Sequence, residues 1–319
     1  MIVARVRRTI AERALIEPRM RVLVACSGGP DSGAMLVALA QLGPELGFDL
    51  EAASVDHGLR AGAAADVDVA RSQAEALGVT FHALRVEVAP GASVQAHARR
   101  ARYAALTELA AARGAQRVAV GHTLDDQAES VLQRIMRGAG LGGLSGIEPR
   151  RADGVIRPLI DCRRADVAVF ARTHCAHLAS DPSNTDPRFL RTRLRAEILP
   201  LLAREDPAIA QHVSDLADDA RAAQAVLASA ARALLERSRQ SDGSIDVSTW
   251  ISEPSAIRRL ALRAWLEAET AREPGRAQLV ALERALSSSA EVWLAEGWVV
   301  RSRRAGTLVL VRDPKTSTA

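Results

Sequence analysis

Residues 26–33 read Cys26-Ser27-Gly28-Gly29-Pro30-Asp31-Ser32-Gly33, after an apolar run at 21–26 and before a helical pattern. Gly28 and Gly29 can take backbone angles that other residues avoid, and they leave their amides uncovered. Pro30 suits the first turn of a helix. Uncovered amides and the positive end of a helix together make a seat for phosphate. Ser27 and Ser32 add hydroxyls. Asp31 is an anion in a place suited to anions, where a carboxylate usually holds Mg²⁺ or takes part in catalysis. A Gly-Gly turn with Asp31 as a first-turn helix charge is the plainer alternative. The whole hexapeptide behind an apolar strand favours phosphate. The sequence has no Gly-x-x-x-x-Gly-Lys-Ser/Thr, so this is not a Walker loop.

A second constellation is Gly121-His122-Thr123-Leu124-Asp125-Asp126-Gln127-Ala128-Glu129-Ser130. Thr123 or Asp125 could cap the helix that starts there. Asp126 and Glu129 share a face at i,i+3, as do Asp125 and Glu129 at i,i+4. Carboxylates so grouped bind a metal or a cationic substrate, or act as a base. Capping and first-turn charge account for Asp125, but less well for Gly121-His122 and Glu129. Residues 138–146 hold five glycines, as either a mobile loop beside a site or a plain linker. Arg188, Arg191, Arg193 and Arg195, with Phe189 among them, suit RNA phosphate or a solvated helix face.

These groups need a frame. Apolar runs at 21–26, 50–55, 79–88, 117–120 and weakly at 155–160 read as strands. Helical patterns at 31–42, 63–77, 93–113, 124–137 and 163–177 alternate with them. Alternation of this kind predicts an α/β domain, a parallel sheet with helices on both faces. Ligands of such sheets sit beyond the carboxyl ends of the strands, where both constellations fall. The pattern does not select a strand order. Residues 180–187 (SDPSNTDP) are turn chemistry and divide a first domain, 1–185, from a second, 186–319. The second reads as smaller and mainly helical, with a terminal hairpin or meander over 291–312.

Composition narrows the class. The chain has 319 residues, 48% hydrophobic and 25% charged, which excludes a mostly disordered chain. No apolar run approaches the ~18 residues of a spanning helix, and the N-terminus lacks a secretory pattern, so a cytoplasmic protein is expected. Three cysteines without a Cys-x-x-Cys pair give no disulfide framework and no evident zinc or iron–sulfur site. Net charge is +4, and every basic residue but Lys315 is arginine. Arginine suits phosphate, but GC-rich coding explains the bias more simply.

The hexapeptide resembles the PP-loop of ATP pyrophosphatases, which cleave ATP between the α and β phosphates and adenylate a substrate. The ordered set resembles one branch, the bacterial tRNA(Ile)-lysidine synthetases. Beside the two constellations, the set includes Val-Asp-His-Gly-Leu-Arg at 55–60 and Ala98-Arg99-Arg100-Ala101-Arg102-Tyr103. It continues with the Arg-Gly-x-Gly loop and Asp-x-Ser-Asn before the arginine-rich helix. Gln95 stands where the family more often has Glu, and residues 207–319 carry no matched motif. The resemblance implies that lysine is joined to carbon 2 of the wobble cytidine in the CAU anticodon of an isoleucine tRNA. ATP activates the cytidine, lysidine, AMP and pyrophosphate are the products, and decoding changes from AUG to AUA. It implies that Ser27, Gly28, Gly29, Pro30, Asp31 and Ser32 hold ATP, with Asp31 near Mg²⁺. Asp56 and His57 would lie by the adenosine, and Gly121 and His122 by the α-phosphate. Asp126 would be the base, with Glu129 and Asp125 seating L-lysine. Arg102, Arg191 and Arg193 would touch cytidine or tRNA phosphate. The second domain would bind tRNA, and a homodimer is compatible. Two rivals share the fold: a sulfur-inserting tRNA enzyme and a non-catalytic ATP-binding regulator.

Overall fold

In the computed structural model, which describes residues 1–56, 58, 62–87, 94–179, 188–286, 291–294, 297–303 and 306–313, five apolar runs pair in parallel. They are β1 (Arg21–Ala25), β2 (Asp49–Asp56), β3 (Thr80–Arg85), β4 (Arg117–Ala119) and β5 (Val155–Ile156). Their order is β3-β2-β1-β4-β5. From β1 the chain moves outward through β2 and β3, then returns to β1's other side as β4. Such a reversal opens a crevice at the carboxyl ends of β1 and β4. Both sheet faces are covered, as the continuous apolar run of β1 requires, since successive side chains point to opposite faces. Val22 and Val24 of β1 pack into one core with α1 (Ile2–Glu12), α2 (Pro30–Leu46), α3 (Ala63–Glu75) and α7 (Arg164–His174). Leu23 faces the opposite core, with Leu106 and Ala110 of α4 (Val94–Arg113).

Several boundaries differ from the sequence reading for local reasons. α2 continues past Gly43-Pro44 to Leu46, because proline's fixed φ is helical and its missing N–H forfeits one bond. β5 is only two residues long. Pro158 cannot extend a ladder, and Ile160 N–H turns back to Arg157 O at 3.2 Å. The N-terminal helix α1 was unread, although Ile2, Val6 and Ile10 bury one stripe at i,i+4. α5 (Leu124–Met136) leads to a single turn, α6 (Leu141–Leu144), inside the glycine-rich stretch. That stretch is tied to α5: Arg134 Nη1 donates to Gly143 O and Gly146 O at 2.8 and 2.9 Å. Beyond residue 187 follow α8 (Leu190–Arg193), a π-helical turn (Leu194–Ile198), α9 (Leu199–Glu205) and α10 (Ile209–Ser238).

The chain forms two compact units, Met1–Asp218 and Asp219–Ala319. Residues 180–187, where the sequence suggested a division, lie outside the described residues. The second unit holds α11 (Ser255–Thr270) and α12 (Arg276–Ala285). Its antiparallel sheet contains β6 (Ile245–Asp246), β7 (Glu291–Trp293), β8 (Trp298–Arg303) and β9 (Thr307–Arg312), ordered β6-β9-β8-β7. The expected meander is therefore present, joined by a strand too short to read from sequence. Trp250 and Trp265 are fully buried in this unit's core. Trp250 Nε1 donates to Ser238 Oγ at 2.7 Å, so the indole keeps its hydrogen bond on burial.

Gly28 has φ +75°, and a Cβ there would lie 2.7 Å from Asp66 O and 3.1 Å from Ala179 Cβ. Gly28→Ala combines left-handed strain of about 1–2 kcal/mol with a backbone clash. A fall in melting temperature with loss of nucleotide binding is expected, measured by thermal unfolding with and without ATP. Unchanged binding would mean that the loop does not need this conformation.

Candidate active site

Ser32 shapes the loop after β1 from within. Its Oγ accepts from Ser27 N–H at 3.1 Å, donates to Gly29 O at 3.1 Å, and lies 3.2 Å from Ser27 Oγ. Ser32 therefore braces the turn. Gly28 O accepts from Ala179 N–H and Gln73 Nε2. The amides of Gly28 and Gly29 have no acceptor among the described residues, which suits an anion. Gly29 caps α2 and Pro30 opens it. Gly121 leaves β4 so close to the start of α2 that a Cβ there would lie 3.2 Å from Asp31 C, tighter than ordinary contact. Asp31 has no ion-pair partner among the described residues. Burial, with the nearby Asp126 charge, raises its carboxyl to about 6, although Arg164 and Arg195 pull it down.

Across the crevice, Thr123 caps α5 in a capping box with Asp126. Asp126 Oδ2 accepts from Thr123 N–H and Oγ1 at 2.8 and 2.9 Å. Its Oδ1 accepts from Arg164 and Arg191, both at 2.7 Å, and from Arg195 at 3.3 Å. Burial pushes this carboxyl up, but Arg164 and Arg191 outweigh it and hold it at about 2. Glu129, whose side chain is 0% exposed, takes the same three guanidinia at 2.8–3.1 Å. Its carboxyl is held low despite burial, Arg195 being the largest opposing influence. His122 is neutral: burial depresses its ring to about 3, with Arg157 adding to the effect and Asp126 opposing it. Arg157 Nε donates to His122 Nδ1 at 3.2 Å.

These groups open on one cavity of about 750 Å³. Its lining includes the loop after β1, Arg102, Tyr103, Gly121, His122, Arg164 and Arg195. Asp126 and Glu129 meet it through the guanidinia of Arg164 and Arg195.

Residues 2–202 match the model of a PP-loop domain, and residues 245–305 match that of a TilS substrate binding domain. The chain is 38% identical to a tRNA(Ile)-lysidine synthase of Salinispora arenicola, over 92% of this chain and 91% of that protein. The chain belongs to the tRNA(Ile)-lysidine synthase family. It is an ATP-dependent ligase of the PP-loop class that modifies tRNA. A tRNA(Ile)-lysidine synthase of Symbiobacterium thermophilum is 36% identical over 91% of this chain, and the chain spans 64% of that longer relative. The fold is shared with the U34-tRNA thiolase NcsA from Methanococcus maripaludis with its [4Fe-4S] cluster. That likeness has a TM-score of 0.57 at 19% identity, over 68% of this chain and 76% of that one.

Within this tRNA(Ile)-lysidine synthase fold, the residues singled out in the sequence fall into two sets. Ser27, Gly29, Pro30, Asp31, Ser32, Gly121, His122 and Arg102 line the cavity, and Gly28 shapes its loop. Asp126, Glu129 and Arg191 form one ionic cluster. The others point elsewhere. Asp125 Oδ2 accepts from Arg164 N–H at 2.7 Å, at the start of α7. Arg193 Nη1 donates to Arg188 O on the exposed side. Asp56 Oδ1 accepts from Gly58 N–H at 2.8 Å, closing the turn after β2. His57 and the Asp-x-Ser-Asn segment lie outside the described residues. Sequence reasoning passed over Arg164, and it read Arg195 only as one of four arginines suited to RNA phosphate or a solvated face, not as a partner of Asp126 and Glu129. Arg195 could have been found: it is i,i+4 from Arg191, whereas Arg193 at i+2 faces away.

Proposed function

We propose that this cavity binds ATP and the target cytidine, and that Asp126 and Glu129 seat the ammonium of lysine. The carrying observation is that the phosphate-type loop lines one cavity together with Arg164 and Arg195, the guanidinia that hold the acidic pair. Cytosine's oxygen on carbon 2 is a poor leaving group. Its attack on the α-phosphorus expels pyrophosphate and makes it a good one. The lysine ε-nitrogen then bonds to carbon 2, AMP departs with that oxygen, and the amine gives up its proton. The amides of Gly28 and Gly29, which have no acceptor among the described residues, hold phosphate, and His122 faces the α-phosphate. Asp31, without an ion-pair partner among the described residues, fits a hard cation completed by phosphate oxygens. Bound there, Mg²⁺ would spread the triphosphate charge.

Lysine's ammonium has a pKa of ~10.4 in water, so a proton acceptor is required. With three guanidinia on it, Asp126 is a strong cation partner and a weak base. Two carboxylates facing three guanidinia leave no negative charge for a further cation. Seating lysine therefore requires a guanidinium to turn away, which also restores Asp126's basicity. Arg191 and Arg195, 41% and 36% exposed, are freer to move than Arg164 at 21%. The second unit, with its substrate-binding match, binds tRNA, and Arg102 and Arg193 of the first unit touch cytidine or tRNA phosphate. An unpaired anticodon base suits a protein that reads splayed-out nucleotides. The enzyme in this reading works in the cytoplasm.

The test is mass analysis of nucleosides after incubating an isoleucine tRNA bearing CAU with ATP and lysine. The expected result is one cytidine carrying lysine, with modified nucleoside formed only when all three substrates are present. A thiolated nucleoside, or pyrophosphate release without tRNA, would overturn the reading.

A further inference from the structure

Arg157 is 3% exposed, directly beyond β5, and no carboxylate pairs with it among the described residues. A buried guanidinium without a counter-charge is costly unless its N–H groups are used. Here they are directed. Nη1 donates to Glu148 O, and the residue's own N–H donates to Pro149 O at 2.9 Å, which fixes the side chain's root. Nε donates to His122 Nδ1 at 3.2 Å.

The chemistry of that contact is one-directional. A guanidinium has donors and no acceptor, so Nδ1 must offer a lone pair. Imidazole then carries its hydrogen on Nε2. A doubly protonated ring would set N–H against N–H. Asp126 draws the ring toward charge, whereas Arg157, Arg99 and Arg191 oppose it. With Nδ1 engaged and His122 lining the cavity, Nε2–H is the ring's remaining polar group.

We infer that Arg157 is a positioning residue that locks His122 as a neutral Nε2–H donor aimed at the phosphate in the cavity. This rests on the reading of the cavity as the ATP site. His122 then stabilises negative charge developing on the α-phosphoryl oxygens and transfers no proton. Preorganised donors of this kind act where charge develops, and they lose effect when the tautomer is free to exchange.

The test uses the full chain with ring-¹⁵N histidine, the His122 signals being assigned by their absence in His122→Gln. Long-range nitrogen–proton correlations should show an unprotonated Nδ1 and a protonated Nε2. Arg157→Met removes the donor at similar length. It should bring in the Nδ1–H tautomer and slow tRNA-dependent pyrophosphate release on the order of 10²-fold, as loss of one transition-state donor does. Arg157→Gln carries an amide nitrogen at the same chain position as Nε. It should restore the tautomer and most of the lost rate. A wild-type ring protonated on Nδ1, or a Met variant with native tautomer and rate, overturns the inference. If Met fails to fold, the wild-type spectrum and the Gln variant still decide. A correct tautomer with no shift of the His122 signals on adding ATP would overturn the phosphate role and the ATP reading, and leave the lock standing.

Discussion

Asp126→Asn should bind ATP within a few-fold of the wild type and lose lysidine formation by on the order of 10²–10⁴-fold. The two halves separate because the substitution spares the loop after β1. Asparagine keeps a side-chain oxygen for Thr123 N–H, so the helix cap survives. What disappears is the anion facing Arg164 and Arg191 at 2.7 Å, and with it the seat proposed for the ammonium. Glu129 alone then faces three guanidinia. Breaking a buried ionic group by removing one member typically costs about 3–5 kcal/mol, so a lower melting temperature should accompany the loss. The decisive measurement is therefore the partition of products. With ATP and tRNA the variant should still accumulate adenylated tRNA, and added lysine should not discharge it. Lysidine formed at near-native rate would show that Asp126 neither seats lysine nor accepts its proton.

The legible parts were those set by local chemistry. The βα alternation announced a parallel sheet because strands buried on both faces must be apolar throughout, and Leu23 between Val22 and Val24 serves two cores. The Ser-Gly-Gly-Pro-Asp-Ser loop was legible because glycine conformation, proline at the first helical turn and hydroxyls are properties of single residues. Partnerships were less so. Asp125 and Asp126 look alike in the sequence, yet one caps α7 and the other joins the ionic cluster. That choice depends on where α7 lies, which no spacing within 121–130 encodes. Arg157 stands in the sequence as the first residue of an Arg-Pro-Leu tripeptide with nothing beside it to mark a role. Its contact with His122 crosses from β5 to β4, and adjacency of those strands is a property of the sheet. The N-terminal helix escaped because its arginines obscured a stripe that i,i+4 counting would have found.

Replacing Asp31 by asparagine should make the nucleotide-free protein more stable while it disables catalysis. At neutral pH the Asp31 carboxylate is ionised, desolvated, near Asp126 and Asp125, and without an ion-pair partner among the described residues. Its folded pKa of about 6 lies above the ordinary value near 3.8. The folded state thus binds a proton more tightly than the unfolded state. Stability from this group is therefore greatest below about pH 4 and declines as pH rises to 6. Above that it stays reduced by roughly 3 kcal/mol, since each pKa unit corresponds to about 1.4 kcal/mol. Asp31→Asn removes this penalty, so unfolding at pH 7.5 should shift upward by about 2–3 kcal/mol, and the gain should vanish near pH 4. Activity should move the other way, by on the order of 10²-fold or more, because the cation proposed at Asp31 contributes several kcal/mol of charge stabilisation. The trade arises because the carboxylate is held ready for a charge that arrives only with ATP. Denaturant unfolding across pH 4–8, with and without Mg²⁺–ATP, measures both arms. If the variant is no more stable than the wild type at pH 7.5, the carboxylate is not held under electrostatic strain, and its assignment to the cation loses its physical basis.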